Sequence, residues 1–263
     1  PRAPTDTWNL WHQSHIDDLF DRLIANFVIT RGVNPDRVYL MGYSAGGDGV
    51  YQLAPRMADR FAAAAMMAGH PNNASPLGLR NLPFMIFMGG KDGAYGRNKV
   101  AAQWGKTLEG LREADLGGYD HKATIYPQHG HWMNGDDREA LPWMIAKTRD
   151  PWPKRIVWKQ SGRTHERFYW LQVPKGVAKG GQEIEAEVQG QQVTIQSGGA
   201  KEIILRLSDR LVNLDKVVTV NADGVEVFKG KLERKARVIW ESLKQRQDPN
   251  SVATAELHLA LQH

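Results

Sequence analysis

One serine occupies a position suited to a nucleophile. The run Gly42-Tyr43-Ser44-Ala45-Gly46 follows an apolar segment at residues 37–41 and precedes a helical pattern that continues towards Met57. In such a strand–turn–helix, the serine hydroxyl is exposed at the turn and the N–H of Ala45 faces a developing oxyanion. Gly42 and Gly46 are expected to leave room for the turn. The pattern indicates nucleophilic attack on an acyl carbon.

A candidate acid follows the serine in the chain order that this chemistry uses. Asp92 comes after the apolar run at residues 82–88 and a Gly-Gly-Lys segment, which puts its carboxylate just past the end of a predicted strand. A carboxylate there can orient a histidine, although capping a turn with Gly93 is an alternative. Asp136 and Asp137 are rivals that lie beyond the last strand predicted in this half of the chain.

The candidate base is one of two histidines. His129 and His131 both follow a predicted strand at residues 122–126. A neutral imidazole on this loop could accept the Ser44 proton, with its tautomer fixed by Asp92. We favour His131 because its Gly-His-Trp setting resembles the histidine loop of many hydrolases, and His129 remains the alternative. The two histidines could instead hold a cation with Asp136 or Asp137, but a metal site would leave the serine turn unexplained, so no metal is predicted.

Aromatic residues near these segments allow two interpretations. They are Trp8, Trp11, Tyr43 and Trp132. They could form an acyl or aryl pocket around the serine, or they could be core residues that cover the sheet. Both interpretations stay open, and Tyr43, Trp8 and Trp132 are the predicted substrate-binding residues.

The first half of the chain alternates strand and helix patterns. Apolar residues recur at helical spacing over residues 14–30, with Ser14 and Asp17 as a possible capping box. Further strands are predicted at 37–41, 61–68, 82–88 and 122–126, and further helices at 45–57 and 100–114. This alternation is typical of an α/β fold with a parallel sheet.

After Trp143 the pattern changes to short alternating strands. The stiff run Asp150-Pro151-Trp152-Pro153 predicts a boundary between a domain at 1–149 and a domain at 150–263. Strands are predicted at 156–159, 167–173, 183–188, 193–196, 202–207, 217–220 and 255–261, with a hairpin at 221–224 and a helix at 237–245. We therefore predict a smaller β-sandwich-like accessory domain.

Composition excludes several classes of chemistry. The chain has no cysteine, which removes disulfides, thiolate catalysis and Cys-bound metals. The net charge of +5 lies in the second half, but its basic residues are interspersed with acids and no nucleic-acid signature is present. No apolar run approaches the ~20 residues that cross a bilayer.

The motifs resemble those of a known superfamily. Residues 1–146 are similar to the second half of a bacterial α/β-hydrolase of the esterase type, close to polyhydroxybutyrate-depolymerase-like esterases and prolyl-oligopeptidase-like hydrolases. The matching features are Gly42–Gly47, Gly90-Lys91-Asp92 and Gly130-His131-Trp132. The resemblance implies a Ser44–Asp92–His131 triad, an acyl-enzyme intermediate, an ester substrate and no cofactor. It also favours a secreted or periplasmic protein, and the β-rich remainder resembles accessory domains of secreted hydrolases.

The chain departs from this superfamily before the serine. Relatives have about four strands and a loop that donates a second oxyanion N–H upstream of the nucleophile, whereas only 43 residues precede Ser44. We expect the edge beside the Ser44 strand to be open, and the missing segment to belong to a longer chain or to a second chain. If 263 residues were the whole protein, loss of one oxyanion donor would reduce the rate by ~10²–10³.

Two other functions are compatible with the same residues. One is a serine peptidase of the prolyl-oligopeptidase type, which would use the same triad on a peptide bond. The other is a non-catalytic protein that binds a polymer or surface and keeps the hydrolase half as a relic. The Ser, Asp and His in hydrolase order favour an enzyme.

Overall fold

The computed structural model describes residues 15–261 together with Asn9, Trp11 and Gln13. The chain forms two compact units. The first unit comprises the residues up to Ile24 together with Val33–Arg149. The second unit comprises Ala25–Gly32 and Asp150–His263. The division into independently folding domains at 1–149 and 150–263 stays a prediction.

The first unit is built on a four-stranded parallel sheet in the order β1-β2-β3-β4. The strands are β1 (Tyr39–Tyr43), β2 (Ala63–Met67), β3 (Phe84–Gly89) and β4 (His121–Tyr126). The helices are the first part of α1 (His15–Arg31), whose residues from Ala25 onward are assigned to the other unit, α2 (Ala45–Arg56), α3 (Arg97–Ala114) and α4 (Ala140–Ile145). In the described part of the chain β1 and β4 are the end strands, and Met41 of β1 is exposed.

One local feature differs from the sequence-based expectation, and a second lies partly outside the described residues. The first strand begins two residues later than predicted because Pro35–Arg37 forms a 3₁₀ turn, which Asn34 caps by accepting the Asp36 N–H. Ser14 of the capping box predicted at α1 lies outside the described residues. Its partner Asp17 forms a buried ion pair with Arg56, at 2.5 Å.

Helices cover the sheet on both faces. Strands β2 and β3 are buried along their whole length. On one face Phe84 packs with Tyr51 of α2 and Trp104 of α3. On the other face a cluster forms with residues that follow β4 and with α4, including Met67, Phe87, Met133, Ala140 and Met144. Tyr39 and Tyr43 pack against this second cluster.

The parallel arrangement determines where the polar loops meet. Because all four strands run in the same direction, their C-terminal ends share one edge of the sheet. Ser44 follows β1, Asp92 lies three residues after β3, and the loop at 127–135 follows β4. The candidate residues of the sequence analysis therefore lie along a single edge.

The second unit is β-rich. Its strands are β5 (Arg155–Lys159), β6 (Arg167–Phe168), β7 (Leu171–Gln172), β8 (Glu183–Gln189), β9 (Gln192–Gln196), β10 (Glu202–Leu207), β11 (Val218–Ala222), β12 (Val225–Gly230) and β13 (Ala255–Ala260). One sheet has the order β12-β11-β9-β8-β5 and is mixed, since β11 runs parallel to β9. The other has the order β13-β10-β7-β6 and is antiparallel. Helix α5 (Ala236–Arg246) precedes β13.

The strand predicted at 167–173 is in fact a tight hairpin. Tyr169 has a φ of 51°, a left-handed conformation that reverses the chain, so Phe168 pairs with Leu171. The predicted turn before Val225 is present, and Asp223 and Gly224 both have positive φ. With a parallel α/β sheet followed by a β-rich unit, the predicted fold class is confirmed.

Within the described ranges, no helix combines the length and the apolar character needed to span a bilayer.

Candidate active site

Ser44 lies in a strained turn between β1 and α2. Its backbone has φ 55° and ψ −119°, which an L-residue adopts only when its surroundings impose it. The Ser44 N–H donates to the carbonyl of Met67 on β2 at 2.9 Å, which fixes the turn to the sheet. Ala45 is the first residue of α2, so its N–H has no acceptor within the helix and is available to an anion.

The glycines around Ser44 have unequal roles. A Cβ on Gly42 would lie 2.2 Å from the Gly46 carbonyl oxygen, and a Cβ on Gly47 would lie 2.5 Å from the Met67 carbonyl oxygen. A Cβ on Gly46 would meet no described atom within 4 Å other than those of its chain neighbours and of the backbone of its own helix. The expectation that Gly46 supplies room was therefore wrong, because the close approaches are made by its carbonyl group and by Gly47.

This difference predicts opposite outcomes for two similar variants. We expect Gly42→Ala to lower the free energy of unfolding by about 1–3 kcal/mol, because one backbone would have to move away from another. Gly46→Ala is expected to be neutral or stabilising by up to about 1 kcal/mol, since it replaces a helical glycine in open space. Urea unfolding of both variants measures the difference. Equal destabilisation by the two would contradict this account of the turn.

Asp92 is buried at the end of the β3 segment. Only 4% of its surface is exposed. Its backbone carbonyl accepts the N–H of Asn98, whose side-chain amide donates to Gly90 at 2.7 Å and closes the turn. The guanidinium Nη1 of Arg97 lies 3.4 Å from the carboxylate oxygen Oδ1 of Asp92. The carboxylate is thus held in one orientation with an adjacent positive charge.

His131 bridges the other two candidate residues. Its Nδ1 lies 2.6 Å from Asp92 Oδ2, and its Nε2 lies 3.0 Å from Ser44 Oγ. In the tautomer that fits both distances, Nδ1–H donates to the carboxylate and the serine hydroxyl donates to Nε2. The histidine side chain is 44% exposed and therefore accessible to a ligand. The structure brings Ser44, His131 and Asp92 into one chain of hydrogen bonds.

The rival residues form a separate pair. His129 Nε2 lies 3.0 Å from Asp136 Oδ2. Tyr126 of β4 donates its hydroxyl proton to the carbonyl of Asp136 at 3.0 Å. Burial raises the pKa of Tyr126 to about 12, and the neighbouring Glu139 carboxylate adds to the shift. The His129 side chain therefore pairs with Asp136, directly after its own loop, rather than with the serine.

The histidine loop docks on the end of β3 through backbone atoms. A Cβ on Gly89 would lie 1.8 Å from the carbonyl oxygen of Gly130, so only glycine permits the approach. Gly90 donates its N–H to Tyr126, and Lys91 donates its N–H to His129 at 2.9 Å. The segments that carry Asp92 and His131 are thus joined by main-chain contacts a few residues from both side chains.

The predicted pocket residues lie in different settings. Trp132 is 64% exposed and packs on the Tyr43 ring at a centroid distance of 5.5 Å. The Tyr43 hydroxyl contacts the histidine loop. Trp11 packs on Phe20 and lines an apolar cavity of about 420 Å³ beside β1. Trp8 lies outside the described residues.

Several contacts at this site were not predicted from the sequence. They involve the Tyr43 hydroxyl, the Arg97 guanidinium and the Asn98 side chain. Arg97 and Asn98 lie five and six residues after Asp92, at the start of α3. A polar side chain at a helix start carries no signal that it will turn back towards the preceding strand. No group of three His, Asp or Glu side chains suited to a metal ion occurs among the described residues.

The sequence also matches a known family model. The model described as the dienelactone hydrolase family matches residues 2–159, which is more than half of the chain. The chain belongs to the dienelactone hydrolase family. This assignment confirms the predicted relationship to the α/β-hydrolase superfamily, but it confirms neither of the two subgroups suggested by the motifs. No curated protein shows significant similarity to the chain.

Solved structures of esterases resemble parts of this dienelactone hydrolase family member. A thermostable esterase is 18% identical over 56% of this chain and 42% of its own, with a TM-score of 0.41. A carboxylesterase from Mesorhizobium loti is 22% identical over 50% and 60%, with a TM-score of 0.39. The Bacillus cereus carboxylesterase is 15% identical over 50% and 60%, with a TM-score of 0.38. The chain thus spans 42–60% of their lengths, and its family assignment rests on the sequence match.

Proposed function

We propose that this chain is a serine hydrolase that cleaves carboxylic esters. The observation that supports the proposal most is the position of the His131 imidazole, within hydrogen-bond distance of both Ser44 Oγ and the buried Asp92 carboxylate. A serine without a catalytic role would not require a strained backbone and a histidine held between it and a buried carboxylate. Membership in the dienelactone hydrolase family supports the same reaction class.

The proposed acylation step follows from the geometry. Ser44 Oγ attacks the ester carbonyl while its proton passes to His131 Nε2, and the positive charge on the imidazole is stabilised by Asp92. The carbonyl oxygen becomes an oxyanion that accepts the N–H of Ala45. When the tetrahedral intermediate collapses, the C–O bond to the alcohol breaks and His131 returns the proton to the leaving alkoxide.

Deacylation repeats the sequence with water. His131 removes a proton from a water molecule, which attacks the acyl-enzyme carbonyl, and the proton then passes to Ser44 Oγ as the acid is released. The exposed Trp132 ring beside His131 is proposed to contact the substrate, with the Tyr43 ring as its support. The Tyr43 ring and Trp8 are the other two proposed substrate contacts. The name of the family points to cyclic esters, so lactones belong in the substrate panel.

A substrate panel with an active-site probe tests the proposal. We expect the folded protein to hydrolyse p-nitrophenyl acetate and an unsaturated lactone, to leave peptide p-nitroanilides intact, and to be labelled by a fluorophosphonate. Preferential cleavage of the anilides would favour the peptidase alternative. Absence of both labelling and turnover in a folded sample would refute the proposal and favour a non-catalytic binding protein.

A further inference from the structure

The Tyr43 hydroxyl is bonded to the backbone on both sides of Trp132. It donates to the carbonyl of His131 at 2.6 Å and accepts the N–H of Met133 at 3.1 Å. Met133 is fully buried, so its amide would lose this hydrogen-bond acceptor if the hydroxyl were removed. Tyr43 is also the residue directly before Ser44. One side chain therefore connects the strand that carries the nucleophile to the loop that carries the base.

The packing of the Tyr43 ring and the raised pKa of its phenol both favour this pair of hydrogen bonds. Its ring packs edge-on to the His131 ring at 6.0 Å and contacts the buried cluster that contains Met67, Phe87 and Met133. Burial raises the pKa of the Tyr43 phenol, with the Asp137 and Asp92 carboxylates adding to the shift. The hydroxyl thus keeps its proton, and continues to donate to His131, at pH values where an exposed tyrosine begins to ionise.

We propose that Tyr43 is a positioning residue that sets the distance between His131 Nε2 and Ser44 Oγ through its hydroxyl. This inference rests on the proposed function, because it assigns Tyr43 a role in that same hydrolysis. Both hydrogen bonds of the hydroxyl go to backbone atoms of the histidine loop, and neither goes to Ser44 Oγ or to the His131 imidazole. The hydroxyl acts by holding the backbone of residues 131–133, so its loss should weaken the chemical step and leave substrate binding almost unchanged.

A matched pair of variants isolates this role. Tyr39 lies on the same strand and the same side of the sheet, and its hydroxyl donates to the carbonyl of Lys147 at 3.0 Å, away from His131. Tyr43→Phe is expected to reduce kcat by about 10–100-fold with KM changed less than about twofold. Tyr39→Phe should retain kcat within about twofold, although it loses a comparable hydrogen bond. A similar fall in kcat for both variants, or a change in KM alone for Tyr43→Phe, would overturn the proposal.

A double-mutant cycle shows whether Tyr43 acts through His131. In a His131→Ala background, Tyr43→Phe should cause no further loss of fluorophosphonate labelling, since the group that it positions is gone. An undiminished further loss would refute the proposal. Amide hydrogen exchange gives a second measurement: faster exchange at residues 131–133 in Tyr43→Phe supports the role, and unchanged exchange contradicts it.

The outcomes also separate this inference from the proposed function. If the unmodified chain is folded but neither labelled nor active, then the proposed function fails, and this inference fails with it. If the unmodified chain is labelled and Tyr43→Phe is labelled at the same rate, then only the role of Tyr43 is refuted.

Discussion

Replacing Ser44 with alanine is expected to reduce ester hydrolysis by about 10⁴- to 10⁶-fold and to abolish fluorophosphonate labelling. The alanine removes the Oγ that would form the covalent bond and leaves the turn, which is held by the Ser44 N–H and the glycines, in place. Initial rates on p-nitrophenyl acetate and mass spectrometry of the labelled protein measure the two effects.

A second serine in the same unit provides the control for this variant. Ser75 accepts the N–H of Leu77 in a short 3₁₀ turn and takes no part in the proposed chemistry. Ser75→Ala should therefore keep both activity and labelling. Labelling that survives Ser44→Ala would show that the nucleophile is another residue, even if the chain proves to be an esterase.

Replacing His131 with alanine is expected to reduce kcat by a comparable factor, about 10⁴- to 10⁶-fold. Among the described residues, only the His131 imidazole is hydrogen-bonded to Ser44, so no other described histidine is placed to accept the hydroxyl proton of Ser44. The buried Asp92 would then face a gap in place of the Nδ1–H that it now accepts. Rates and labelling kinetics measure the loss.

His129→Ala is the matched comparison for this prediction. His129 lies two residues away on the same loop, but it pairs with Asp136. We expect a loss of less than about tenfold, arising only from looser anchoring of the loop. If His129→Ala instead proved the more damaging variant, the assignment of the base would have to be reversed.

The order of the candidate residues could be predicted because each follows a strand with a recognisable apolar pattern. Parallel strands bring their C-terminal ends to one edge, so Ser44, Asp92 and a histidine of the 127–135 loop were expected to meet there. The choice between His129 and His131 rested on local context alone. Spacing cannot distinguish two histidines separated by one residue, and only the folded loop shows which ring points to the serine.

Other features depend on contacts between distant parts of the chain. The bonds from Tyr43 to the histidine loop join residues about 90 positions apart, and a tyrosine in a strand gives no indication of such a partner. Helix α4 has six residues, including a proline, and is too short to show a helical period. The positive φ of Tyr169 could not be predicted from the sequence either, because turns with a positive φ are expected at glycine or asparagine.

The contact of Gly89 with the Gly130 carbonyl bears on how this protein could be redesigned. Since main-chain atoms contribute to how close the acid segment lies to the base segment, the exposed side chains of the loop that bond to neither segment can vary without moving either one. Gln128 is exposed between the docking residues Tyr126 and His129. Substitutions at Gln128 should therefore leave the spacing of the hydrogen-bonded residues unchanged, and a library at Trp132, the proposed substrate contact, should change which esters are preferred. Any side chain at Gly89 should instead disrupt that spacing for every ester alike.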